Sequence, residues 1–292
     1  MGGFTMGVFQ DVIQPPYPDD ASTETIWQTP TTQGALALRD IVDGAFLWDV
    51  WGTLGWNDIR QRYRRSKIGP FWLTISMAVM IVSIGGLYSG LFNADTARYF
   101  PHLAIGFVVW NFVSALINDG CNAFIACGGI IRNVRLPLSL YVYRVVWRNL
   151  LIFGHNILIV FAAVIIFALR PGWTAVLTIP AIVVLSLNGV WVGLLLGLFS
   201  ARFRDVPQIV TTAMQVIFFI TPIIWQPELL PQRAVILTYN PFFHMLEIVR
   251  APLMGTAPSL LSWSIAIAAT LFGSAVTLVI YIRYRRRIAF WI

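Results

Sequence analysis

Residues 68–94 carry no charged side chain, and they follow directly on a cluster of five basic residues. An uncharged apolar run of this length exceeds the roughly 20 residues that an α-helix needs to cross a bilayer. Basic residues beside such a run are retained on the cytoplasmic side during insertion. The sequence therefore predicts that the chain enters the membrane at this junction and runs from inside to outside. The basic cluster consists of Arg60, Arg62, Arg64, Arg65 and Lys67.

The composition extends this prediction to the whole chain. Hydrophobic residues make up 58% of the 292 residues and charged residues only 11%, whereas a soluble domain carries about 25% charged residues. The basic residues lie beside apolar runs and not on a separate polar surface, which argues against nucleic-acid binding. An all-α membrane protein that crosses the bilayer several times fits this composition.

Six apolar runs are long enough to predict membrane spans; five carry no charge, and the second is interrupted only by Asp119. Their order places 16 of the 20 basic residues on one side of the membrane and 4 on the other. Because basic loops stay inside, this asymmetry supports an even number of spans with both termini cytoplasmic. The predicted spans are about 71–92, 102–124, 149–169, 173–199, 206–225 and 261–282, all within a membrane domain of residues 68–282.

The two ends of the chain are predicted to be cytoplasmic and outside the bilayer. Residues 1–45 are polar and rich in proline, which is typical of a mostly disordered extension. Residues 46–67 begin with an apolar helical face and end in the basic cluster, so we expect an amphipathic helix in the membrane interface. The apolar stripe shifts after Gly52 and Gly55, which favours a bend there or a second short amphipathic helix that ends in the basic cluster. Residues 283–292 form a basic tail.

Two connections are too apolar to be simple solvated loops. Residues 128–147 mix basic and apolar side chains, which predicts a short helix along the inner face, broken at Pro137. Such a helix is either merely interfacial or a contact for a cytoplasmic partner. Residues 226–260 hold five prolines among apolar residues, which is typical of re-entrant or interfacial half-helices on the outer side.

The sequence lacks the motifs of a catalytic or energy-converting subunit. Its only lysine, Lys67, is followed by Ile68, so no phosphate-binding loop of the G-x-x-x-x-G-K-S/T type is present. The three histidines lie on separate segments, without metal-ligand spacing. Only Asp119 and His155 could serve an ion relay within the spans. We therefore expect a chain without catalytic residues, metal or cofactor, driven by another polypeptide.

Five short motifs, in unbroken order over about residues 46–292, resemble a known family. They are WNDIRQRYRRSKIGPFW at 56–72, RNVRLPL at 132–138, FRDV at 203–206, FITPIIW at 219–225 and YNPF at 239–242. Together they resemble the membrane (permease) subunit of O-antigen and other polysaccharide-exporting ABC transporters, the Wzm-type permeases of the type-2 ABC exporters. The polar leader of 45 residues departs from the family pattern.

The resemblance implies an assembly in the bacterial inner membrane. Two permease chains would pair with two ABC ATPase subunits that bind ATP and Mg²⁺. The complex would move a glycan linked to undecaprenyl diphosphate from the inner to the outer leaflet. Segment 227–258 would form outward re-entrant helices, and residues 130–143 a coupling helix seated on the ATPase. The contacts there would be Ile131, Arg132, Val134, Arg135, Leu136 and Pro137.

The resemblance also suggests where cargo would be contacted. The basic cluster would meet the lipid diphosphate, since arginine forks pair with phosphate oxygens; the alternative is a flank that only sets topology. The glycan would slide between the two chains, along spans one and five, over aromatic rings. Those rings equally suit an interfacial belt or helix packing. The candidates are Trp72, Tyr88, Phe218, Phe219 and Trp225.

Three other functions are alternatives to polysaccharide export. A type-2 ABC exporter of teichoic acid, lipid or drug would share the architecture and differ in cargo. A membrane glycosyltransferase would need a carboxylate-bearing loop such as Asp-x-Asp, and the sequence has none that fits. An ion-coupled transporter is disfavoured by the scarcity of charge within the spans.

Overall fold

The computed structural model describes residues 32–62, 64, 69, 71–91, 95–227 and 234–292, and in these ranges it contains helices and turns but no strand. The remaining residues, among them the predicted extension up to residue 31, lie outside the described part. The helices are α1 Gln33–Phe46, α2 Trp48–Arg62, α3 Phe71–Leu91, α4 Thr96–Cys121, α5 Gly128–Asn133, α6 Ser139–Ile166, α7 Thr178–Arg202, α8 Val206–Ile220, α9 Ala234–Tyr239, α10 Pro241–Leu253, α11 Leu260–Tyr284 and α12 Ile288–Trp291.

Five of these helices, α3, α4, α6, α7 and α11, are long and apolar enough to cross a membrane. This confirms an all-helical membrane fold. The predicted fifth span, 206–225, is a helix of 15 residues, α8, followed by a turn from Thr221 to Trp225. Because about 20 helical residues are needed to cross a bilayer, a sixth crossing stays a prediction.

Helix α4 forms the centre of the molecule. It packs against α3, α6, α7, α8 and α10, and its backbone approaches that of α7 closely. Gly189, Gly193 and Gly197 lie at four-residue spacing on one face of α7. A Cβ placed on Gly120 of α4 would lie 2.9 Å from the Cα of Gly193. Small residues at this spacing allow close backbone contact between membrane helices.

The folded part of the N-terminal region begins earlier than predicted. Helix α1 covers residues that we expected in the disordered extension, and Thr32 caps it by accepting a hydrogen bond from the Ala35 N–H at 3.3 Å. Ala37 and the Asp40 carboxylate are buried. The local sequence could not predict this folded helix, because the partners that Asp40 binds come from distant parts of the chain.

The predicted bend at the glycines of α2 was also wrong, because α2 continues through Gly52 and Gly55 and the break falls at Leu47. Gly55 instead lies at a close contact between α2 and α6. A Cβ there would lie 2.9 Å from a ring carbon of Trp147 and 3.2 Å from the carbonyl oxygen of Arg144. The glycine therefore lets α2 pack closely on α6, and it does not bend the helix.

The inner connection is shorter than the sequence suggested. Helix α5 ends at Asn133, Val134 is extended, and α6 begins at Ser139, just after Pro137. The break at Pro137 thus separates a single turn of surface helix from a long helix. Helix α6 begins ten residues before the predicted third span, 149–169. The additional residues include Arg144 and Arg148, whose charges are neutralised.

Candidate functional site

All five aromatic residues predicted to line a path lie on or next to two helices with open faces. Helices α3 and α8 flank α4, and only 17% of the most apolar stretch of α3 is buried. Trp72 in the first turn of α3 is 54% exposed, and Phe219 near the end of α8 is 70% exposed. Tyr88 is half-buried on α3. These open faces are the surfaces on which cargo, lipid or a second chain could lie.

The other two predicted path residues are packed more tightly. Phe218 lies between two rings of α4, with centroids 5.6 Å from Phe107 and 5.8 Å from Trp110. Trp225 is half-buried, and its indole N–H donates to the carbonyl oxygen of Phe219 at 3.2 Å. Phe218 therefore anchors α8 on α4, whereas Phe219 faces outward from the same helix turn.

A polar stripe on α8 was missed in the sequence analysis. Gln208, Thr212 and Gln215 are exposed and follow one another at spacings of four and three residues. Thr211 beside them donates to the side-chain oxygen of Asn118 on α4 at 3.0 Å. Exposed amides on a helix of the membrane domain indicate a face that meets water or polar cargo. Helical spacing of glutamine and threonine in an apolar run was the available signal.

An ion-pair network joins α2, α4 and α6 at the end of α4. Asp58 of α2 accepts both forks of the Arg144 guanidinium, one of them at 2.8 Å, and a bond from Arg148 at 3.2 Å. Arg148 also donates to Asp119 of α4 at 2.8 Å, and Asn149 donates to the same carboxylate oxygen at 3.0 Å. Two arginines balance two aspartates, which permits these charges to be largely buried.

This network also accounts for Asp119 and Cys127. Asp119, which the sequence offered for an ion relay, is held in an ion pair. The Arg144 guanidinium lies 3.1 Å from the Cys127 sulfur. Burial raises the pKa of the Cys127 thiol above its usual value, despite the neighbouring Arg144. The thiol therefore stays protonated and packs as a small side chain.

Asp40 of α1 forms a second junction near the same end of α6. Its two carboxylate oxygens accept bonds from the backbone N–H groups of Leu138 and Ser139, each at 3.1 Å. The hydroxyl of Tyr281 donates at 2.7 Å, and Arg285 donates at 3.2 Å. A carboxylate at a helix N-terminus satisfies backbone donors and complements the helix dipole. Asp40 thereby ties the start of α6 to the end of α11.

A third polar cluster lies at the opposite end of α4. The Arg250 side chain of α10 is 3% exposed. It donates to the Pro222 carbonyl oxygen at 2.7 Å and to Glu247 at 2.6 Å, and one of its nitrogens lies 3.1 Å from a ring nitrogen of His102. This cluster holds α10 against α4 and the turn after α8. The segment predicted to be re-entrant is thus two helices, α9 and α10, and α10 is tightly packed.

The predicted phosphate contacts are only partly described. Arg60 is exposed on α2 and Arg64 is exposed in the turn that follows. Arg62 is the last residue of α2. Arg65 and Lys67 lie outside the described residues. The described members therefore lie at or just after the end of α2, the helix that precedes the first predicted span.

The predicted coupling residues form a continuous surface around α5. Ile131 is half-buried and packs against the core, while Arg132, Val134 and Arg135 are exposed. Leu136 and Pro137 are half-buried and lead into α6. Across the described ranges, no group of three or more His, Cys, Asp or Glu residues is placed to hold a metal ion.

Comparison with known proteins shows that the chain is similar to transport proteins. The sequence profile of the ABC-2 type transporter family matches residues 49–254. The chain is 22% identical over 213 residues to an O-antigen export system permease protein RfbA of Klebsiella pneumoniae, covering 72% of this chain and 82% of that protein. It is 21% identical over 198 residues to the protein of the same name from Myxococcus xanthus, covering 66% and 76% respectively.

Proposed function

The chain belongs to the ABC-2 type transporter family, and from this premise we propose that it is the permease subunit of an ABC exporter for a polysaccharide linked to undecaprenyl diphosphate. Its relatives, matched over about three quarters or more of their length, are O-antigen export system permeases. This is the observation that carries the proposal. ATP and Mg²⁺ bind to separate ATPase subunits, two of which join two copies of this chain.

The proposed path runs between two copies, along α3 and α8. These helices offer the open faces that a path between copies requires, and they combine two kinds of contact. Trp72 and Phe219 present rings on which sugar CH faces slide. Gln208 and Gln215 offer amides that exchange hydrogen bonds with sugar hydroxyls. Neither contact binds one sugar tightly, which suits a long polymer in transit.

The proposed topology has six crossings in the inner membrane with both termini cytoplasmic. In this arrangement α8 and the turn to Trp225 complete the fifth crossing, and α9 and α10 lie at the outer end. The network of Asp58, Arg144, Arg148 and Asp119 then lies at the inner end. The excess of basic residues on that side supports this orientation.

The proposed coupling surface consists of α5 and residues 134–137. It continues directly into α6, which carries the two arginines that bind Asp58 of α2 and Asp119 of α4. When an ATPase displaces this surface, α2, α4 and α6 therefore move together. Helix α2 is one of these three helices, and the basic residues at and after its end meet the lipid diphosphate. These residues are Arg60, Arg62, Arg64, Arg65 and Lys67.

The test is co-purification with the ATPase encoded beside this chain, using wild type and the Leu136→Asp variant. We expect a stable complex from wild type and a loss of complex, or of ATPase stimulation, from the variant, because a charge is placed on the coupling surface. Leu260→Asp is the matched control, since Leu260 is 85% exposed at the start of α11, the proposed outer end. A complex that tolerates Leu136→Asp as well as the control contradicts the coupling surface.

The cargo is tested in cells that lack this chain. We expect the lipid-linked glycan to accumulate inside, and surface glycan to return when the chain is restored. Replacing Arg60, Arg62 and Arg64 together with Gln should leave the assembled complex intact and reduce surface glycan at least tenfold. Unchanged surface glycan in that variant would reject the diphosphate contact, and a retained teichoic acid, lipid or drug would reassign the cargo.

A further inference from the structure

An amphipathic cavity lies where α7 and α11 end, and neither the path nor the coupling surface uses it. Its volume is about 430 Å³. Its apolar wall comes from residues inside the two membrane helices, Leu198 and Ile280. The rest of the lining is aromatic and basic: Phe199, Arg202, Phe203, Tyr284, Arg287 and Trp291.

Both arginines of this cavity are held by aromatic rings. The guanidinium carbon of Arg202 lies 5.3 Å from the ring centroid of Trp291 and 5.8 Å from that of Phe203. That of Arg287 lies 5.9 Å from the ring of Tyr284. Contact with a ring face restrains a guanidinium while leaving its N–H edge available for acceptors. The N–H groups at the edges of both guanidinium groups are therefore held in position but are not used by the contact with the aromatic rings.

No carboxylate in the described ranges pairs with Arg202 or Arg287. This contrasts with Arg285, which lies on the same segment and binds Asp40 at 3.2 Å. Two further exposed arginines, Arg283 and Arg286, line an adjoining opening that shares Arg287. One end of the membrane domain thus carries four exposed arginines that form no ion pair with the described residues.

We propose that this cavity binds the phosphate headgroup of an anionic phospholipid from the surrounding bilayer. The apolar wall between α7 and α11 suits an acyl chain, and the arginine edges at the mouth suit phosphate oxygens. Basic recesses between membrane helices bind anionic lipid headgroups in this way. A bilayer lipid is favoured over a soluble anion because the apolar wall belongs to helices of the membrane domain. The site is independent of the exported cargo.

The seated lipid fixes the C-terminal segment. The Trp291 carbonyl oxygen accepts a bond from Arg204 at 3.4 Å, and the Trp291 ring contacts Arg202, so α12 folds back on the end of α7. A phosphate shared by Arg202 and Arg287 links α7 to the turn that precedes α12. Binding of an anionic lipid is therefore expected to stabilise the folded chain, because a ligand that binds only the folded state raises its stability.

The experiment measures thermal unfolding of the purified full chain in detergent supplemented with phosphatidylglycerol or with phosphatidylcholine. We expect phosphatidylglycerol to raise the unfolding midpoint by at least about 3 °C more than phosphatidylcholine. The double variant Arg202→Gln and Arg287→Gln should lose more than half of that difference. The control Arg98→Gln and Arg170→Gln removes two exposed arginines elsewhere and should retain it.

Three outcomes overturn the proposal: equal shifts from both lipids, a glutamine variant that keeps the full difference, or a control that loses as much as the variant. Inorganic phosphate or pyrophosphate added with phosphatidylcholine tests a soluble source. A shift equal to that of phosphatidylglycerol would replace the lipid with a free anion. If the glutamine variant does not fold, Arg202→Lys with Arg287→Lys is used, and an undiminished difference there contradicts the role of the guanidinium forks.

Discussion

Helices α3 and α4 are similarly apolar and both are long enough to span a membrane, yet they occupy opposite environments. In its most apolar stretch α4 is 72% buried, whereas α3 is 17% buried. The difference does not come from how apolar the two helices are. It comes from their neighbours: α4 faces the glycine-lined side of α7, whereas α3 packs mainly against α4 and α6 among the described helices. Hydropathy identifies a membrane helix but does not show what the helix faces.

The strongest test of this comparison adds the same side chain to a glycine of each helix. We expect Gly120→Val on α4 to destabilise the protein by about 3 kcal/mol, because the new atoms meet the backbone of Gly193. Gly86→Val on α3 meets no atom within 4 Å and should change stability by less than about 0.5 kcal/mol. Denaturant unfolding in detergent measures both. Equal losses would show that α3 is buried in the protein as isolated.

A smaller contrast is expected from removing side-chain atoms. Leu103 on α4 is fully buried and Leu87 on α3 is 68% exposed. Leu103→Ala leaves a cavity and should cost about 2 kcal/mol. This lies at the low end because a lipid environment is as apolar as leucine. Leu87→Ala should cost less than about 0.5 kcal/mol. A large loss at Leu87 in the assembled complex but not in the isolated chain would place that face in an interface.

The smallest expected effect concerns the bond that anchors α3. Thr74 donates to the side-chain oxygen of Asn156 on α6 at 3.2 Å, and both residues are buried. Thr74→Val should cost about 0.6 kcal/mol, the average value of hydrogen bonds between membrane helices. Ser83→Ala on the exposed side of α3 is the control and should have no measurable effect. A double-mutant cycle with Asn156→Ala isolates the bond, and zero coupling would show that packing alone holds α3.

The uncharged runs at 71–92 and 261–282 coincide within two residues with helices α3 and α11, whereas the uncharged run 206–225 holds a helix of only 15 residues. Helix α6 begins ten residues before the predicted third span, because Arg144 and Arg148 looked too polar for a buried helix. Their partners, Asp58 and Asp119, are distant in sequence, so no local pattern could reveal the neutral network.

The same limit applies to the residues of the candidate path, whose types could be predicted from the sequence but whose exposure could not. Aromatic rings were identifiable from the sequence, but exposure separates Phe219 from Phe218, and exposure depends on how α8 packs on α4. The stripe of Gln208, Thr212 and Gln215 was visible as a helical spacing, yet its meaning required knowing that this side of α8 is open. Residue type was predictable, whereas orientation required the tertiary structure.

The junction at Asp40 has a consequence for how the chain is made. Two of its partners, Tyr281 and Arg285, lie 241 and 245 residues further along the chain. During synthesis α1 therefore leaves the ribosome long before these partners exist, and the start of α6 can satisfy only part of the carboxylate. The partners of the buried charge are complete only when α11 and the turn after it have been made. Asp40 thus couples the synthesis of α11 to closure of this end of the molecule.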